Sequence, residues 1–88
     1  MRAEPRDRSI GVVLAITPSG MVTARATDAH APTEGTNVVD AHGRLRGRVQ
    51  RVFGPVARPY LSIRPRRPPT PAEAAAIIGT PLRREPEG

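Results

Sequence analysis

Apolar and polar positions in the first part of the chain follow the patterns of β-strands. Residues 10–16 are apolar on both faces, which is typical of a strand buried on both sides or of a strand in a small barrel. A turn signal at residues 17–20 separates them from a second strand at residues 21–26, so the pair predicts a hairpin. Residues 27–36 show no periodicity, and we expect them to form a long loop across one end of the domain.

The middle of the chain alternates with a period of two. A short strand is predicted at residues 37–40, followed by a tight turn that contains a glycine. The next strand is half-buried, because its apolar and polar positions alternate. Its inward positions are Leu45, Gly47 and Val49, and its outward positions are Arg44, Arg46, Arg48 and Gln50. The alternation breaks at residues 52–53, which predicts a β-bulge there.

A rigid corner is predicted between this strand and the next. Phe53 and Tyr60, the chain's only Phe and only Tyr, flank Gly54-Pro55 and Arg58-Pro59, and each proline removes a donor and fixes its own φ. The corner therefore cannot continue a sheet ladder. It is either a plug for the core or a docking surface, and its stiffness favours docking because little entropy is lost on binding. After the corner, Leu61 and Ile63 are expected to face inward and Tyr60, Ser62 and Arg64 outward.

The C-terminal part predicts one short helix over residues 70–79. Thr70 with Glu73 forms a capping-box pattern, Pro71 stands at the first helical position, and Gly79 ends the helix. Residues 80–82 are a candidate return to the sheet edge. These patterns predict a disordered lead at residues 1–8, a single domain at 9–82 and a mobile charged tail at 83–88. The domain is mostly antiparallel β-structure.

Composition and charge narrow the function classes. The chain has 88 residues and no cysteine, so it predicts one small domain without disulfides or a cysteine metal site. No apolar run is long enough for a membrane span and the charged N-terminus does not resemble a signal peptide, so we predict a cytoplasmic protein. The net charge is +6 and all 14 basic residues are arginine. The absence of lysine is typical of a bias in genomic base composition, but arginine also forms planar, bidentate bonds to phosphate or carboxylate. The positive sign of the charge favours a place near RNA.

No catalytic constellation is evident, and we predict that the chain is not an enzyme and needs no cofactor or metal. His30 and His42 stand in a predicted loop and turn without partners at metal-ligand spacing, and Asp40 is expected to stabilise the turn. Ser19 and Ser62 have no neighbouring base. An enzyme would require Asp40 and His42 to meet a further group elsewhere in the fold.

The outward arginines have two interpretations. They keep a strand face solvated, or they contact an RNA backbone. Because no aromatic residues are interleaved with them, base stacking is not expected. The candidate contacts are Arg44, Arg46, Arg48 and Arg51.

The run V-x-x-V-F-G-P-V-x-x-P-Y at residues 49–60 is the most specific motif of the chain. Together with shorter pieces at residues 10–13, 20–25, 35–40 and 79–82, it resembles the archaeal Gar protein family. Members of that family are the small barrel subunit of the H/ACA ribonucleoprotein, which makes pseudouridine in RNA.

The resemblance implies a small six-stranded antiparallel β-barrel, of the type shared with reductases and translation factors. It also implies a non-catalytic subunit that docks on the catalytic domain of the pseudouridine synthase and contacts guide and substrate RNA indirectly. Such a subunit assists substrate loading and product release in rRNA and tRNA modification, and so in ribosome biogenesis. The family's docking corner corresponds to Phe53, Gly54, Pro55, Val56, Pro59 and Tyr60. The alternative is a barrel that binds ribosomal RNA directly, in ribosome maturation or translation.

Overall fold

Six strands and one helix are found in residues 9–27 and 29–85, which are the residues that this computed structural model describes. In chain order they are β1 (Gly11–Ile16), β2 (Val22–Ala26), β3 (Asn37–Asp40), β4 (Arg46–Phe53), β5 (Tyr60–Pro65), α1 (Pro71–Ile77) and β6 (Pro81–Arg84). The strands pair antiparallel in the order β1-β2-β5-β4-β3-β6, and β6 pairs with β1 to close a barrel. The predicted fold, a six-stranded antiparallel β-barrel with one short helix near the C-terminus, is confirmed.

The core is built from the inward positions of all six strands. Leu61 and Ile63 of β5 are fully buried, as their alternation with polar residues predicts. The other buried apolar side chains of the core cluster are Ile10, Val13, Val22, Ala24, Val38, Leu45, Val49, Ile77 and Leu82. In β1 only one face is buried, because Val12 and Leu14 point outward and are exposed. Its apolar run is therefore that of a barrel strand, not of a strand covered on both sides.

A β-bulge interrupts the pairing of β4 with β5. It lies between Val49 and Arg51, earlier than the predicted position at residues 52–53. One extra residue in β4 shifts the alternation by one position, so that Val49 and Val52 both face the interior. Val52 and Phe53 themselves pair regularly with β5. The bulge thus turns Arg51 and Phe53 to the outside.

The helix α1 begins with the predicted capping box. The Thr70 hydroxyl accepts a hydrogen bond from the Glu73 N–H at 3.2 Å, and the Glu73 carboxylate accepts one from the Thr70 N–H at 3.0 Å. The bond from the Thr70 backbone, followed by the bond from Arg67, holds the pKa of Glu73 below its usual value. The helix ends at Ile77, earlier than predicted, because the Gly79 N–H donates to the Val13 carbonyl at 2.8 Å and draws the chain into the sheet.

Replacing Thr70 with alanine is expected to cost about 0.5–2 kcal/mol of stability, because the Glu73 N–H loses its acceptor. Hydrogen exchange of the backbone amides of residues 72–78, compared with the wild type, measures the effect. Faster exchange confined to this segment is the expected result. Unchanged protection would show that the cap contributes nothing to the helix.

The C-terminal boundary of the barrel lies later than predicted. Residues 83–84 were expected to belong to a mobile tail, but Arg83 and Arg84 continue β6 and pair with Val39 and Val38 of β3. The Glu85 N–H also donates to the Asn37 carbonyl at 2.9 Å. Pairing with these residues provides hydrogen-bond partners for the backbone groups on the edge of β3 that β4 does not cover. The predicted lead at residues 1–8 and the end of the predicted tail at 86–88 lie outside the described residues.

Candidate functional site

The corner between β4 and β5 is a connection of six residues, 54–59, closed by an aromatic pair. Phe53 at the end of β4 lies directly opposite Tyr60 at the start of β5. The ring centroids are 5.7 Å apart and the ring planes are inclined by 24°, so the two rings stack. The stacked rings join the two strand ends from which the corner leaves the barrel.

Gly54 allows the chain to turn at the start of the corner. Its φ is +90°, a conformation that residues with a side chain rarely adopt. A Cβ atom at this position would lie 2.9 Å from Cδ2 of Tyr60. Because both the dihedral angle and the space require glycine, the turn packs directly on the tyrosine ring.

Two arginines attach the corner to β2. The Nε of Arg25 donates to the Arg58 carbonyl at 3.0 Å, and its Nη1 donates to the Tyr60 hydroxyl at 3.1 Å. The Arg25 guanidinium also lies 4.4 Å from the centroid of the Tyr60 ring. In return, the Nε of Arg58 donates to the Ala26 carbonyl at 3.1 Å, and the Ala26 N–H donates to the Pro59 carbonyl at 2.8 Å. The corner is therefore fixed to the barrel on one side.

The predicted docking residues fall into two groups. Val56 is 89% exposed at the tip of the corner and Phe53 is 37% exposed at its base. Gly54 and Pro55 are exposed as well. By contrast, Pro59 is buried and Tyr60 is half-buried, so these two residues support the corner from below.

A shallow groove of about 610 Å³ runs between the corner and the loop that precedes β3. Ala31 and Pro32 of that loop face Val52, Phe53 and the corner across this groove. The loop was expected only to cross one end of the domain. The structure places it beside the corner, where half-buried Ala31 and buried Pro32 form the other wall of the groove.

The candidate RNA-contacting arginines are all exposed, but they differ in their partners. Arg46 forms an ion pair with Glu85, and the Arg51 guanidinium lies 5.1 Å from the centroid of the Phe53 ring. The side chains of Arg44 and Arg48 form no hydrogen bond or ion pair with other described residues. Arg48 lies directly opposite Arg64 of β5, a residue that was not among the predicted contacts. Inward and outward side chains alternate on both strands, so the pairing register of β4 with β5 would have identified Arg64 as the outward neighbour of Arg48.

The remaining polar candidates take structural positions. Oδ1 of the buried Asp40 accepts a hydrogen bond from the Leu45 N–H at 2.9 Å, which confirms its predicted role in the turn. His30 and His42 are exposed, and Ser62 lies on β5 opposite Arg51. Among the described residues, no group of histidine and carboxylate side chains could hold a metal ion.

Neither a protein-family model nor a curated protein matches the chain. What distinguishes the corner is therefore its own geometry: an exposed valine on a turn that two arginines and an aromatic stack attach to the barrel.

Proposed function

We propose that this chain is a non-catalytic subunit of an H/ACA RNA-guided pseudouridine synthase. It docks through the corner on the catalytic domain of the synthase and assists loading of substrate RNA and release of product. The observation that carries the proposal is Val56, an apolar side chain 89% exposed at the tip of a rigid corner. Through this role the chain would act in rRNA and tRNA modification and in ribosome biogenesis.

The corner has the properties of a preorganised docking surface. Its backbone is fixed by Arg25 and Arg58, so binding would require little further ordering. Val56 and Phe53 offer apolar area that the barrel itself does not cover. Burying both side chains on a partner would form the dry centre of an interface.

The identity of the partner rests on the motif and the fold together. The run at residues 49–60, which resembles the docking corner of the archaeal Gar family, occupies this corner. The closed six-stranded barrel is also the fold that the resemblance implies. A catalytic domain of a pseudouridine synthase is therefore the partner that we propose for Val56 and its neighbours.

Reconstitution with an archaeal synthase subunit, its accessory proteins and a guide RNA tests the proposal. Adding this chain is expected to raise the rate of pseudouridine formation when substrate RNA is in excess, because loading and release then limit turnover. With enzyme in excess, the first turnover should change much less. A chain that does not bind the complex, or that accelerates only the first turnover, would contradict the proposal.

The exposed arginines favour a second candidate, a barrel that binds ribosomal RNA directly. Salt distinguishes the two, because contacts made only to the RNA backbone weaken steeply as the salt concentration rises. The docking subunit should bind RNA weakly and without sequence preference, and lose this binding at moderate salt. A ribosomal-RNA-binding barrel should retain one preferred site under the same conditions.

A further inference from the structure

Two pairs of arginines lie side by side, each joining β4 to β5 or to the residue directly after β5. Arg48 is directly opposite Arg64 in the pairing register. Arg46 and Arg66 form the neighbouring pair, since the Arg66 N–H donates to the Arg46 carbonyl at 2.8 Å. Arg46 and Arg48 share a face of β4, because residues two positions apart in a strand point to the same side. Arg66 lies directly after β5, and its side chain reaches the same Glu85 carboxylate as that of Arg46, so it lies on this side as well.

One of these pairs is already bound to an anionic group of the protein. Glu85 forms an ion pair with Arg46 through one carboxylate oxygen and with Arg66 through the other. The Glu85 side chain is only 15% exposed. It lies at the end of β6, where the bond from its N–H to the Asn37 carbonyl holds the backbone in place. The carboxylate thus bridges two guanidinium groups across neighbouring strands.

The other pair has no such anion. The side chains of Arg48 and Arg64 are exposed and form no ion pair or hydrogen bond with the residues that the structure describes. Like charges directly opposite each other destabilise a sheet, so this pair costs free energy in the isolated protein. Glu34 is the acidic group beside them: it lines the same recess of about 270 Å³, but it forms no ion pair with either arginine. An external anion would relieve the repulsion.

We propose that Arg48 and Arg64 form a binding site for a phosphate of a nucleic-acid backbone. At the neighbouring pair, Arg46 and Arg66, the Glu85 carboxylate occupies the place that such a phosphate would take. The chain therefore carries one open phosphate site and one that its own carboxylate fills. This inference does not depend on the proposed docking function, because it concerns binding by the isolated chain.

The surroundings favour nucleic acid over an acidic protein as the ligand. Guanidinium groups bind phosphate oxygens in a planar, two-pronged geometry, and successive rows on a strand face repeat at about 6.6 Å. No apolar side chain lies within these two rows, whereas the centre of a protein interface is depleted in charge. Polar and strongly positive surfaces are typical of contacts with nucleic acid.

Fluorescence anisotropy with the full chain and a labelled oligouridylate of about 15 nucleotides, at about 50 mM salt, tests the open site. The double variant Arg48→Gln/Arg64→Gln is expected to bind about tenfold more weakly. The slope of log affinity against log salt should become shallower by about 0.7, the value for one lost phosphate contact on a single strand. Its melting temperature should equal or exceed that of the wild type, because the like-charge pair is gone.

The control is Arg44→Gln/Arg84→Gln, which removes the same charge from exposed positions outside both arginine pairs. Like Arg48 and Arg64, these two side chains form no hydrogen bond or ion pair with other described residues. A much smaller loss of affinity is expected. An equal loss in the two double variants would show that net charge alone governs binding, and would overturn the proposal. Displacement of the RNA by a polyglutamate peptide at the same concentration of negative charge would also overturn it, in favour of an acidic protein ligand.

At Arg46 and Arg66, the pair that Glu85 bridges, removing the carboxylate is expected to strengthen RNA binding. Glu85→Gln frees Arg46 and Arg66, so RNA should bind several-fold more tightly and the salt slope should become steeper by up to about 0.7, the value for one added phosphate contact. Glu34→Gln makes the same change in net charge at a carboxylate without an ion pair, and a smaller gain is expected. Unchanged or weaker binding by Glu85→Gln, or an equal gain in both variants, would contradict the role assigned to Glu85.

Discussion

Replacing Gly47 with alanine is expected to lower the melting temperature by roughly 10 °C, which corresponds to about 2 kcal/mol in a domain of this size. A Cβ atom at Gly47 would lie 2.6 Å from the Arg64 carbonyl oxygen and 3.0 Å from Ile63 Cγ2 and Pro65 Cα. Two of these three atoms belong to the backbone of β5, so no flexible side chain can move aside. The added methyl group must separate β4 from β5, the strands that carry both arginine pairs and the corner.

Gly43→Asn is the matched control for this prediction. Gly43 has a φ of +73°, but no heavy atom lies within 4 Å of the Cβ position, and asparagine tolerates this backbone conformation better than other side chains do. The melting temperature should therefore change little. Thermal unfolding followed by circular dichroism compares the two variants. A Gly47→Ala protein as stable as the wild type would show that β4 and β5 are not this close.

Val56→Asp is expected to abolish most of the stimulation of multiple-turnover pseudouridine formation while the barrel stays folded. The side chain is 89% exposed, so its replacement should change the free energy of unfolding by no more than about 0.5 kcal/mol. A carboxylate buried without a partner at the centre of an interface is costly, and synthase binding should weaken by at least about tenfold, or 1.4 kcal/mol. The assay is the reconstituted complex with substrate RNA in excess.

Leu14→Asp provides a control outside the corner. Leu14 is 45% exposed and lies at an irregularity in the pairing of β1 with β2, so a polar side chain should be accommodated there. Its stimulation of turnover should equal that of the wild type. If Leu14→Asp loses stimulation and Val56→Asp keeps it, the docking surface lies on the β1 side of the barrel.

Local patterns were sufficient to predict most of the elements. The alternation around Leu61 and Ile63 identified which face of β5 is buried, because a strand reverses its side chains at every residue. Thr70 and Glu73 identified the start of the helix, because the capping box joins residues only three apart. Both signals act over short stretches of sequence and depend little on the rest of the fold.

The contacts that define the corner could not be predicted, because they depend on the register between distant strands. Arg25 reaches the Tyr60 hydroxyl across 35 positions of sequence. Tyr60 was expected to be an exposed anchor for docking, yet Gly54 packs on its ring and leaves it half-buried. The sequence spacing of Arg25 and Tyr60 does not indicate that the arginine side chain binds the tyrosine hydroxyl, because an arginine on a strand face can equally point into solvent.

The bulge in β4 is the second feature that sequence patterns did not place correctly. The extra residue of the bulge comes before Arg51, so three outward pairs follow one another along β4 and β5. They are Arg48 with Arg64, Arg51 with Ser62, and Phe53 with Tyr60. Tyr60 was expected to face outward with Arg64, but the sequence did not place Phe53 on the same face as Arg48. The structure thus places the Arg48–Arg64 pair and the corner on one outward face of β4 and β5. If both proposals hold, a bound RNA and a bound protein would lie next to each other there.

Titration calorimetry of the chain against the catalytic subunit of an archaeal H/ACA pseudouridine synthase tests the docking proposal most directly. The wild type should bind, Val56→Asp should bind at least about tenfold more weakly, and Arg44→Gln/Arg48→Gln should retain most of the affinity. The last variant alters exposed arginines that form no ion pair with other described residues, so its fold should be unaffected. Loss of binding by the arginine variant with normal binding by Val56→Asp, or no binding by the wild type, would contradict the assignment of the corner as the docking surface.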